Sequence, residues 1–199
     1  MRNRTAVLNP DLTVLGAGTY NYFCYANATT NYPAKNISAN LTITPIQVHA
    51  ALSLQTPITY GTPVNVTCNA SPSNVTPTLT RNGAVLPGLT DNSILGAGNY
   101  TYVCYYNTTQ NYTGDNESQM LVVNPVQTVI NLTLNGTNSN IHVPANSTIL
   151  INATSNVPNA TINWYLNGTL IGPIGNGWSV GPIPPGAYNI TATYTGSQN

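Results

Sequence analysis

Residues 15–48 of this chain, LGAGTYNYFCYANATTNYPAKNISANLTITPIQV, align without a gap against residues 95–128, LGAGNYTYVCYYNTTQNYTGDNESQMLVVNPVQT. So long a gapless register means that one structural unit is used more than once, which restricts the chain to folds built from small modules. Upstream, Arg2-Asn3 and Ala6-Val7-Leu8 align with Arg81-Asn82 and Ala84-Val85-Leu86 at shifts of 79 and 78 residues. A diverged third copy shows at residues 186–194, GAYNITATY, against residues 98–106, GNYTYVCYY. The repeat divides the chain into a partial module at 1–44 holding only closing strands, a complete module at 45–124, and a module at 125–199 expected to lack its last strand. On this register the opening part of the first module is expected before Met1.

Within the modules the side-chain pattern has period two, the signature of strands with one buried face. Val64, Val66, Cys68 and Ala70 share one phase. So do Tyr100, Tyr102, Cys104 and Tyr106, then Ile37, Ala39, Leu41 and Ile43, then Ile130, Leu132 and Leu134, and finally Ile162, Trp164 and Leu166. Asn82-Gly83 and Asn167-Gly168 follow two such runs, where tight hairpin turns are expected. Hydrophobic residues make up 41% of the chain, and their alternation predicts a folded protein. No run carries a helical stripe, so the expected class is all-β, with sheets packed as sandwiches.

Several segments together resemble the bacterial immunoglobulin-like repeats found in tandem on prokaryotic surface proteins. They are Thr59–Thr67 (TYGTPVNVT), Leu95–Tyr102 (LGAGNYTY) with Asn111-Tyr112, Trp164–Gly172 (WYLNGTLIG) and Pro185–Gly196 (PGAYNITATYTG). The resemblance implies a tandem of immunoglobulin-like β-sandwiches and spans nearly the whole chain. It implies that Cys68 and Cys104, 36 residues apart, face each other across a sandwich and form a disulfide. A loop of that size contributes about 4 kcal/mol by the chain-entropy estimate. Cys24 is the counterpart of Cys104, and its partner is expected 36 residues earlier, so it is unpaired through truncation. In the last module Ala153 and Ala192 take the two cysteine positions, and Trp164 replaces Leu79 as the bulk filling the core. Tyr102, two residues before Cys104, matches the tyrosine corner of such domains.

Acceptor sequences of the form Asn-X-Ser/Thr are the second strong signal. They begin at Asn3, Asn27, Asn36, Asn40, Asn65, Asn69, Asn74, Asn99, Asn107, Asn111, Asn116, Asn131, Asn135, Asn146, Asn152, Asn159, Asn167 and Asn189, eighteen in all. Chance would give about 6 in a chain with 30 Asn and 40 Ser plus Thr among 199 residues. Their phase matters as well: Asn65 and Asn69 alternate with Val66 and Cys68, Asn36 and Asn40 with Ile37 and Leu41, and Asn131 with Ile130 and Leu132. Asn152 and Asn189 follow the same rule, so all are expected to face solvent, where a glycan must project.

Charged residues are 4% of the chain, four acids (Asp11, Asp91, Asp115, Glu117) against four bases (Arg2, Arg4, Lys35, Arg81). Ordinary globular proteins carry about 25%. A basic nucleic-acid footprint is absent, and no apolar run is long enough to span a bilayer. No catalytic, cofactor-binding or metal-binding residue is assigned. His49 and His142 have no sequence-adjacent triad partner, and Asp115 and Glu117 are read as residues of a solvated loop. Tyr105 and Tyr165, of outward phase, are the candidates for contact with a ligand or neighbour. The expectation is a non-enzymatic, extracellular stalk segment of a heavily N-glycosylated prokaryotic surface protein, archaeal in type and able to contribute to an envelope layer. Its partners would be neighbouring modules of the same chain, cell-surface glycans or other envelope proteins. An adhesin or carbohydrate-binding module, or an accessory domain of a secreted hydrolase, is the alternative. With so few titratable groups, the fold is expected to tolerate acid.

Overall fold

The computed structural model describes residues 1–173 and 178–196. Every regular element among them is a strand. The first two, β1 (Gly18–Ala26) and β2 (Lys35–Ile43), pair as an antiparallel hairpin. There follow β3 (Ile46–Gln47), β4 (His49–Leu54), β5 (Ile58–Thr59), β6 (Val66–Ser71), β7 (Thr78–Arg81), β8 (Ala84–Val85), β9 (Thr90–Asp91), β10 (Gly98–Tyr106), β11 (Tyr112–Thr113) and β12 (Asp115–Asn124). The last part holds β13 (Ile130–Leu134), β14 (Ile149–Ser155), β15 (Asn163–Leu166), β16 (Thr169–Pro173), β17 (Trp178–Val180) and β18 (Ile190–Thr193). Two compact units result, Met1–Asn124 and Pro125–Asn199.

In the first unit, a five-stranded sheet in the order β5-β12-β10-β7-β8 packs against a three-stranded sheet in the order β4-β6-β9. Their shared core takes Leu52, Val66 and Cys68 from the smaller sheet and Leu79, Tyr102, Cys104, Leu121 and Val123 from the larger. Each such aliphatic side chain stabilises the fold by about 1.5–3 kcal/mol on burial. Cys68 and Cys104 are bonded across the core, with Cα atoms 5.4 Å apart. Period two holds where it was expected: Val64, Val66 and Cys68 are buried while Asn65 and Asn69 are exposed.

The hairpin β1–β2 repeats the pairing of β10 with β12 residue for residue, Gly18↔Ile43 to Ala26↔Lys35 against Gly98↔Val123 to Tyr106↔Asp115. It is tied to the sandwich through its leading turn. The Ala17 amide donates to Asn111 Oδ1 at 2.8 Å, and Gln110 Nε2 donates to the Ala17 carbonyl at 3.0 Å. Residues 1–44 and 45–124 thus belong to one compact unit. Unlike its counterpart, the hairpin's inward phase is uncovered: Ile37, Ala39 and Leu41 are exposed, because no second sheet lies over them within the unit.

In the second unit, β13-β14-β17 and β16-β15-β18 enclose Ile149, Ile151, Ala153, Ile162 and Trp164, with Ala192 packed alongside. Trp164 pairs with Ala192 as Leu79 pairs with Cys104, so the core positions correspond. Trp164 and Ala153 are buried together in this core with Ala192 packed against them, at the positions where the sequence placed them.

The hairpin turns follow their sequence. Asn82-Gly83 has φ values of 50° and 81°, and Asn167-Gly168 has 49° and 79°, a left-handed pair that Asn and Gly adopt most readily. Each Asn side chain then bonds the next strand. Asn82 Oδ1 accepts the Thr101 amide and Asn167 Oδ1 accepts the Asn189 amide, both at 2.8 Å. Asn3 does the same with the Asn21 amide at 2.9 Å. One turn device thus recurs in all three repeats.

Candidate functional site

The acceptor asparagines are distributed over the outside of both units. Asn36 and Asn40 lie on β2, Asn69 on β6, Asn99 on β10, Asn116 on β12 and Asn131 on β13. Asn27, Asn74, Asn107, Asn111, Asn146 and Asn159 lie in connections, Asn65 and Asn189 immediately precede strands, and Asn3, Asn135 and Asn167 occupy turns. Seventeen of the eighteen are exposed. In the turns, the side-chain oxygen is held by a backbone amide, as at Asn135 Oδ1, which accepts the Leu150 amide at 2.8 Å. Such a bond fixes the rotamer and leaves Nδ2, the atom that takes a glycan, facing solvent. At Asn189 the hydroxyl of Thr191, from its own acceptor triplet, donates to Oδ1 at 3.1 Å.

Asn152 is the exception. It lies on β14 between buried Ile151 and Ala153, as its phase requires, yet it is only half exposed, and its Oδ1 is buried without a hydrogen-bond partner among the described residues. The alternation gives a side chain's face but not how far neighbouring residues cover it. Asn74 differs in another way, since its Nδ2 donates to the Tyr112 hydroxyl at 2.5 Å.

Six of the eight charged side chains, Arg2, Asp11, Arg81, Asp91, Asp115 and Glu117, make hydrogen bonds within the fold. Asp91, buried, accepts from Arg81 Nη1 at 2.7 Å, the Tyr102 hydroxyl at 2.7 Å, and the Ser93 hydroxyl and amide at 2.7 and 3.0 Å. Burial pushes its carboxyl up, but the Ser93 hydroxyl and amide, Tyr102 and Arg81 together hold it below the usual aspartate value. Burial and the bond to Asp91 push Tyr102 up to about 12. The first repeat contains the same cluster: Arg2 Nη1 to Asp11 at 2.9 Å, the Tyr22 hydroxyl to Asp11 at 2.8 Å, and the Thr13 hydroxyl to Asp11 at 2.6 Å. There the Thr13 and Tyr22 hydroxyls lead in lowering Asp11 to about 2. By sequence, Arg2, Asp11, Arg81 and Asp91 register only as charges, ungrouped with the hydroxyl side chains around them. The signal was available, because Arg, Asp and Tyr recur together at Arg2, Asp11, Tyr22 and at Arg81, Asp91, Tyr102.

Two assignments change. Asp115 and Glu117 are on strand β12, not in a solvated loop: Asp115 Oδ2 accepts the Ala50 amide at 3.0 Å and Glu117 Oε2 accepts the Leu52 amide at 2.6 Å. Gln119 Nε2 donates to the Leu52 carbonyl at 2.8 Å. These side chains satisfy the free edge of β4, which would otherwise offer unpaired backbone groups. The tyrosine corner also moves by two residues. Tyr102 bonds Asp91, and the bond back to the backbone is made by Tyr100, to the Gly96 carbonyl at 3.0 Å. Tyr20 to Gly16 at 2.8 Å and Tyr188 to Pro184 at 3.1 Å repeat it.

Cys24 is free and exposed, and His49 and His142 are exposed. Tyr105 and Tyr165 are half-buried. Among the described residues no three His, Cys, Asp or Glu gather at one place, and no helix is long and apolar enough to cross a membrane. Neither a protein-family model nor a curated protein matches the chain. What distinguishes this surface is therefore its own chemistry: dense, outward-facing carboxamides with almost no charge between them.

Proposed function

We propose that this chain is an extracellular, non-enzymatic stalk segment of a heavily N-glycosylated prokaryotic cell-surface protein, archaeal in type and built from tandem immunoglobulin-like sandwiches. The observation that carries the reading is the exposure of seventeen of eighteen acceptor asparagines on a chain that is 4% charged. Soluble β proteins protect their surfaces and strand edges with charge. Here the eight charged side chains all lie within residues 2–117, several are spent on internal hydrogen bonds, and residues 125–199 have none. Glycans would supply the missing hydration and steric exclusion, and would shield the edges of the open sheets. The disulfide fits an oxidising compartment outside the cytosol.

The test is the intact mass of the protein made in a host with N-glycosylation, before and after chemical deglycosylation. The expected result is a mass well above the polypeptide's, collapsing to it on treatment. A segment mass of 21.0 kDa before treatment would refute the reading.

A further inference from the structure

The hairpin β1–β2 leaves uncovered an apolar face whose counterpart in the middle repeat lies against a second sheet. Leu121 is 1% exposed and its counterpart Leu41 is 42% exposed; Cys104 is fully buried and its counterpart Cys24 is exposed. Ile37, beside Cys24 in the ladder, is 71% exposed. In the middle repeat this face is covered by β4-β6-β9, with Cys68 bonded to Cys104.

The rest of the first repeat is already arranged to receive such a sheet. The Arg2–Asp11–Tyr22 cluster has the same hydrogen bonds as Arg81–Asp91–Tyr102. In the middle repeat, the Leu89 and Ser93 carbonyls accept the Cys68 and Val64 amides at 2.8 and 2.9 Å. Their counterparts are the carbonyls of Asn9 and Thr13, which take no backbone bond among the described residues. Asp11, the counterpart of Asp91 that pairs with Val66, likewise lies in no strand.

The direction of the chain identifies the source of the sheet. Met1 and Phe23 exchange two backbone bonds at 2.9 Å, and Arg2 bridges Tyr22 as Arg81 pairs with Tyr102. A polypeptide entering through Met1 therefore runs along β1 and comes opposite Cys24 next, as Leu79 stands opposite Cys104.

We propose that this face is the acceptor for a three-stranded sheet of the β4-β6-β9 kind, carried by polypeptide leading into Met1. Its central strand has the pattern apolar–x–apolar–x–Cys and forms a disulfide with Cys24. The first repeat departs from the middle one where Ile37 and Ala39 replace Glu117 and Gln119. The edge strand of the incoming sheet accordingly packs on apolar side chains there instead of being capped by polar ones. The bond forms by exchange: the Cys24 thiol and the incoming thiol together give two electrons and two protons to an external disulfide, which leaves as two thiols. The inference stands on the repeat and the sheet geometry, independently of glycosylation.

Two experiments test it. In the first, the 199-residue chain is offered the peptide PVNVTCNAS, the sequence of residues 63–71, with its cysteine held as a mixed disulfide to a coloured aromatic thiol. Attack by Cys24 transfers the peptide and releases that thiol. Docking on the face raises the effective concentration, so release is expected about tenfold faster than with a scrambled peptide, with slowed hydrogen exchange at Asp11 and along β1. Equal rates would overturn the proposal, as would undiminished speed for a peptide carrying Val64→Asn and Val66→Asn. In the second, the native protein is mapped without reduction. Cys24 joined to a cysteine about 36 residues upstream supports the proposal, by analogy with the 36-residue separation of Cys68 and Cys104. A free Cys24, or Cys24 joined to Cys24 of a second copy, overturns it.

Discussion

The middle and last repeats close the same core in opposite ways. Residues 45–124 use a covalent bond, Cys68–Cys104, with Leu79 beside it, and surround it with the Arg81–Asp91–Tyr102 cluster and the carboxylates that cap β4. Residues 125–199 contain no Asp, Glu, Lys, Arg or Cys, and rely on Trp164 packed with Ala153, Ile151 and Ala192. The pair shows that the sandwich specifies how much volume must be filled at that place, and leaves open the chemistry that fills it.

The contrast can be broken most forcefully at Trp164. Trp164→Ala removes the largest fully buried side chain among the described residues, and is expected to destabilise the second unit by about 3–5 kcal/mol. Calorimetry should show its transition lowered and that of the first unit unmoved. Reducing Cys68–Cys104 is expected to cost the first unit about 4 kcal/mol and the second nothing; an equal loss in both would remove the distinction. Asp91→Asn strips the charge from a buried acceptor of four hydrogen bonds, at an expected cost of about 2 kcal/mol in urea unfolding of the first unit alone.

Acid should separate the units more gently. Asp91 is lowered, and Asp11 is lowered to about 2, so each carboxylate adds stability that is fully present above the ordinary aspartate pKa of about 4. That stability is lost as pH falls through the folded-state value, so the first unit's melting temperature should hold to about pH 4 and decline toward pH 2. The second unit, without carboxylate side chains, should show no such decline. Melting curves of the two transitions between pH 7 and pH 2 check this.

Much of this architecture was legible in the residues. Period two marked the faces of β6 and β10, and Asn-Gly marked the turns at Asn82 and Asn167, because these are local properties of the chain. Apart from Cys68–Cys104, which the resemblance implied, contacts between distant segments were not legible. The capping of β4 joins Ala50 to Asp115 and Leu52 to Glu117, each pair 65 residues apart. Nothing near Asp115 distinguishes a strand carboxylate that reaches an edge from one in a loop. Among the acceptors, phase identified the outward ones but could not see that Asn152 is half covered and that the Asn74 amide nitrogen is engaged by Tyr112.

The most direct test of the proposed glycan coat is site-resolved glycopeptide mapping of natively produced protein. Occupied sites are predicted across both units, including Asn36, Asn65, Asn131 and Asn167, with Asn152 unoccupied because its amide is half covered and its Oδ1 is buried. Bare asparagines at these exposed positions, or occupancy at Asn152 equal to theirs, would contradict the account.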